Sequence, residues 1–120
     1  MNRPEKLLND AQRRELIADT RAAIFGLIAQ LEALEHTITA DSLLVRQLRR
    51  ATGTLTEAAG TIADTSNKRY IPASKGAMNR AEDSVKQLTA NRQYGELFTS
   101  IALQAKVLNR RFKTIDAVRR

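Results

Sequence analysis

The chain has no cysteine and no tryptophan, and only two prolines, five glycines and 4% aromatic residues in 120. Without cysteine there is no disulfide scaffold, no cysteine-ligated zinc or iron–sulfur centre and no thiol nucleophile. With so little proline and glycine, few points force the backbone out of regular structure. Long hydrophobic runs are missing too. The longest stretch without a charge, Ala22–Leu31, has ten residues, about half of what a bilayer span needs. The N-terminus, Met1-Asn2-Arg3-Pro4-Glu5-Lys6, leads into more charge and not into an apolar signal core. The expectation is a soluble, cytoplasmic chain with no membrane span, forming a single domain over residues 1–120. A chain of this length buries roughly 65–70% of the surface that its unfolded form exposes, so it can hold a core unaided.

Positive charge, by contrast, is abundant. Twenty Lys and Arg stand against thirteen Asp and Glu, for a net charge of +7. The excess is uneven. Residues 1–40 are net −1, residues 41–66 are neutral, and residues 67–120 carry twelve basic against four acidic side chains, net +8. A field this lopsided favours acidic partners: nucleic acid, an acidic protein face or anionic lipid.

Apolar residues recur at helical spacing. Ile17, Thr20, Ile24, Leu27, Leu31, Leu34 and Ile38 alternate steps of three and four, which predicts a long first helix over 5–37. Thr39 or Asp41 can cap a second helix, whose seam is Leu44, Leu48, Ala51, Leu55, Ala58 and Ile62. Residues 65–76, with turn formers and Pro72, read as a loop. Ser74 then caps a third helix with Met78, Ala81, Val85 and Leu88 inward. Asn91–Gly95 forms a tight joint, and a fourth helix carries Phe98, Ile101, Ala105, Leu108, Phe112 and Ile115. No segment alternates with period two, so the fold class is all-α. The expected architecture is an antiparallel four-helix bundle with a long first helix and a longer loop between helices 2 and 3.

Two faces lie outside these seams. On helix 1, Leu7, Ala11, Ala18, Ala22, Phe25 and Ala29 fall roughly 160° from the first seam. Either helix 1 is a central bundle helix whose alanines merely tolerate either environment, or one seam builds the bundle and this strip binds a second chain, as in a homodimer. Phe25 discriminates, because alanine tolerates both environments. On helix 2, Gly53 and Gly60 are one heptad apart on the outer side. They are either tolerated drift or a place where a partner helix or a phosphate backbone comes close.

Catalytic chemistry finds little support. The single histidine, His36, lies near the end of helix 1 without the Lys and Gly context of a phosphotransfer site. Glu32 and His36 do not make the Glu-x-x-His element of a di-iron bundle, since position 33 is alanine. Glu82 and Asp83 are neighbours and diverge on a helix. No phosphate-binding glycine loop occurs, and Ser74-Lys75-Gly76 offers only the free N–H groups common to helix starts. No enzyme activity, cofactor or metal is expected, and no motif identifies a family.

Basic side chains carry the functional reading. Lys106, Arg110, Lys113 and Arg120 fall within roughly 80° of one another on helix 4. Arg46, Arg49 and Arg50 cluster on the outside of helix 2, and Lys68 and Arg69 lie in the loop. A helix-turn-helix over Leu55–Ile71 is disfavoured, because Gly60 comes too early and Pro72 would cut the second helix short. Tyr70 is the sole candidate for base stacking beside basic residues, and one ring makes no platform. The expectation is a small non-catalytic interaction protein (adaptor, inhibitor or assembly factor) that binds an acidic macromolecule, protein or nucleic acid, through its basic second half. The alternative is a nucleic-acid-binding accessory protein contacting the phosphate backbone.

Overall fold

The computed structural model describes residues 9–38, 42–63 and 70–117. They form four α-helices: α1 (Asp10–Thr37), α2 (Ser42–Ala63), α3 (Tyr70–Leu88) and α4 (Thr99–Ala117). A short 3-10 turn, Gly95–Phe98, leads into α4. Each helix packs on the next in sequence, and α4 closes the ring against α1. Polar links join neighbouring helices, and two of them fix the direction of α2 against α1. Arg21 Nε donates to the Ala59 carbonyl at 3.1 Å, and Arg49 Nε lies 3.1 Å from Glu35 Oε2. Ascending α1 therefore descends α2, and the two are antiparallel. Arg80 meets Glu57 at 3.3 Å across α3 and α2. Asn109 of α4 donates to Asn79 and Glu82 of α3 at 2.8 and 2.7 Å. The result is the expected antiparallel four-helix bundle, 55 × 26 × 19 Å.

The seams form its core. Ile24, Leu27 and Leu31 of α1 meet Leu44, Leu48, Leu55 and Ile62 of α2, Met78, Val85 and Leu88 of α3, and Ile101, Leu108 and Phe112 of α4. Small residues in the same seams, Ala51, Ala58, Ala81 and Ala105, are fully buried and let the helices approach. Thr20 is also buried, with its hydroxyl donating to the Leu16 carbonyl at 2.7 Å, so its polar atom is satisfied inside its own helix.

The helix ends depart from the sequence reading. Helix α1 starts at Asp10 and not at residue 5. Asn9 Oδ1 accepts from the Gln12 N–H at 2.8 Å, and Gln12 Oε1 accepts from the Asn9 N–H at 3.0 Å. This reciprocal pair satisfies two of the free donors of the first turn. Helix α3 starts at Tyr70, so Ser74 lies inside it and does not cap it, and the loop expected over 65–76 is shortened. Pro72 sits in the first turn, where its missing N–H would have had no partner within the helix. Phe98 is buried as expected but belongs to the 3-10 turn ahead of α4. Thr39 and Asp41, the suggested caps of α2, lie outside the described residues.

The joint between α3 and α4 is built on two side chains. Asn91 Oδ1 accepts from the N–H groups of Gln93 and Tyr94 at 3.0 and 2.8 Å, an Asx turn. Gly95 N–H then returns to the Asn91 carbonyl at 2.9 Å. Gly95 has no unusual φ. It is needed because a Cβ there would collide with the Thr89 carbonyl, standing 3.0 Å from its carbon and closer still to its oxygen. Gly53 and Gly60 differ, since a Cβ on either would meet open space.

Candidate partner-binding surface

Helix α4 turns Ile101, Ala105, Leu108, Phe112 and Ile115 into the core. Steps of four and three then set Lys106, Arg110 and Lys113 together on its exposed side. The three line one recess of about 190 Å³ between α4 and α3, with Asn109 and Glu82. Asn109 is held there by its bonds to Asn79 and Glu82. Among the described residues, none of the three cations forms an ion pair. Arg120, their expected neighbour, lies outside the described residues.

The other basic residues do not join this cluster. Arg46, Arg49 and Arg50 are exposed on α2. In the cyclic order of the bundle, α2 is diagonal to α4, so the two groups face opposite sides. Arg49 is also engaged with Glu35. Lys68 and Arg69 lie outside the described residues.

On α1, Ala11, Ala18, Ala22 and Ala29 are exposed, and Phe25 is 46% exposed. Among the described residues this strip is open to solvent, which fits both alanines that tolerate either environment and a face for a second chain. The Arg21 guanidinium sits 5.7 Å from the centre of the Phe25 ring, a cation–π contact that partly shields it. Leu7 lies outside the described residues. Gly53 and Gly60 are exposed on α2. His36 is exposed in the last turn of α1, and the described residues contain no cluster of three or more metal-ligating side chains. No helix of the described residues is long and apolar enough to cross a membrane.

One surface was missed in the sequence. Leu103 and Val107 of α4 are 61% and 49% exposed. With Ala23 and Leu27 of α1 and Gln104 and Leu108 of α4, they line a groove of about 310 Å³ where α4 closes on α1. Gln30 reaches Gln104 across it at 3.5 Å. The available signal was an apolar i, i+4 pair nearly opposite the α4 seam. It was hidden because Leu97–Ala105 is uncharged throughout and does not show its faces by charge.

Comparison of the chain with known protein families, with characterised proteins and with solved structures returns no match.

Proposed function

We propose that this chain is a non-catalytic helical module that binds an acidic macromolecule through α4. The observation that supports this reading is the cluster of Lys106, Arg110 and Lys113. These are three exposed cations around one recess, none in an ion pair among the described residues. Cations not paired within the chain gain most from an anionic partner, whose counter-charge offsets the cost of partly desolvating them on binding. An acidic protein is preferred, because the same helix presents exposed leucine and valine, which a phosphate backbone does not engage.

The test compares labelled poly-glutamate with random duplex and single-stranded DNA and RNA, each titrated with salt. The triple variant Lys106→Gln, Arg110→Gln, Lys113→Gln should weaken binding to poly-glutamate without changing the circular dichroism melt, since exposed charges are worth within about ±0.5 kcal/mol in folding. If nucleic acid is the partner, the slope of log affinity against log salt should fall by about 0.9 for each duplex-DNA phosphate that the variant leaves unneutralised. Wild-type protein that captures no polyanion at low salt refutes the reading, as does a triple variant that binds at full strength.

A further inference from the structure

Leu103, Lys106, Val107 and Arg110 stand at i, i+3, i+4 and i+7 on α4, so they share one helical face. All four are exposed. Arg111, one turn beyond Val107, lines the far end of the α1–α4 groove. Exposed apolar side chains thus lie directly beside cations that form no ion pair among the described residues. The opposite wall of the groove belongs to α1. Ala23 and Leu27 line it, and farther along α1 the Gln30 side chain reaches Gln104 across the groove. From Ser100 to Arg111 the groove follows α4 for about 17 Å, the length of roughly three helical turns.

We infer that the α1–α4 groove docks an acidic amphipathic helix from a partner protein. The partner's apolar stripe lies on Leu103 and Val107, and its flanking carboxylates meet Lys106, Arg110 and Arg111. The inference rests on the acidic-partner reading above and specifies where and in what form that partner binds. Charge complementarity selects the occupant. A second copy packed across a two-fold axis would bring both copies' Lys106 and Arg110 into one interface, in a chain already at +7. A nucleic acid would satisfy the cations but leave Leu103 and Val107 in water. A helix with one apolar face and acidic flanks satisfies both.

The probe is a fluorescein-labelled synthetic peptide of about 18 residues. It carries leucines at i, i+3, i+4 and i+7 with glutamates beside them. A scrambled peptide of the same composition is the control, and anisotropy is the readout. Wild-type protein should bind the patterned peptide about tenfold or more tighter than the scramble. The double variant Leu103→Gln, Val107→Gln should lose that preference and keep its helical spectrum, because both side chains are already exposed. The double variant Lys106→Gln, Arg110→Gln should bind both peptides more weakly. If wild-type protein binds patterned and scrambled peptides alike, and both depend on Lys106 and Arg110, the groove is refuted and the acidic-partner reading stands. If wild-type protein binds neither peptide nor poly-glutamate, both fall. If the Leu103/Val107 variant keeps the full preference for the patterned peptide, the helix docks elsewhere and the inference is overturned.

Discussion

Three glycines separate two physical roles, and replacing each with alanine should give opposite signs. At Gly95 a Cβ would sit 3.0 Å from the Thr89 carbonyl carbon and inside contact range of its oxygen, where carbon atoms ordinarily keep about 3.5–4.0 Å. Neither side can retreat freely. Thr89 N–H is bonded to the Lys86 carbonyl at 3.1 Å, and Gly95 N–H is bonded to the Asn91 carbonyl at 2.9 Å. Relief requires a shift of several tenths of an ångström or more and weakens a bond of the joint. Overpacking of this kind costs about 1–3 kcal/mol and a weakened hydrogen bond about 1 more, so Gly95→Ala should lose about 2–4 kcal/mol. Gly53 and Gly60 are exposed helix-interior positions with open space around a Cβ. There alanine should gain about 0.8–1 kcal/mol each. An unfolding entropy of about 2.1 cal/mol/K per residue makes 1 kcal/mol worth about 4 °C in a chain of this length. Thermal melts followed by circular dichroism should therefore fall by about 8–16 °C for Gly95→Ala and rise by about 3–4 °C for Gly53→Ala or Gly60→Ala. A Gly95→Ala protein that melts with the wild type would refute the close approach at the joint. A fall for Gly53→Ala would show that the outer face of α2 is covered in the folded protein.

Two further outcomes follow from the same structure. Leu48→Asp and Leu108→Asp should each unfold the chain, because an unpaired carboxylate in either seam costs several kcal/mol against a total stability of about 5–15; a cooperative native-like melt for either would break the bundle assignment. Self-association, where light scattering finds it, should run through the α1 strip, so that Phe25→Glu yields a folded monomer at the same concentration; an oligomer that survives Phe25→Glu removes that strip as the interface.

The core was legible because apolar and polar residues separate cleanly at helical spacing. All six expected seam residues of α2, from Leu44 to Ile62, are buried, as are Met78, Ala81, Val85 and Leu88 of α3. Helix ends were harder, because capping depends on single hydrogen bonds that periodicity does not register. Asn9 and Gln12 carry the start of α1 with two side-chain bonds, while the apolar pattern ran on toward residue 5. Pro72 looked like a breaker, yet a first-turn position removes its penalty. Arg13, counted simply as a charge, is buried on the core side of α1. The spacing of Lys106, Arg110 and Lys113 did mark one exposed face. That α2's arginines face the other way follows from the order of helices around the ring, which linear spacing does not contain.

Among the described residues two ion pairs tie neighbouring helices: Arg80–Glu57 is exposed on both sides, and in Arg49–Glu35 the arginine is exposed while the glutamate is partly buried. Exposed pairs of this sort are worth about 0–1 kcal/mol and are screened as salt rises. The ring is held instead by apolar seams, which ordinary salt does not weaken. Ionic strength thus becomes an orthogonal variable. Between low and moderate salt the melting temperature should stay nearly level while electrostatic capture falls steeply. On the proposed reading, an acidic partner would be eluted by salt with the bundle intact, so that its release is measured free of any contribution from unfolding.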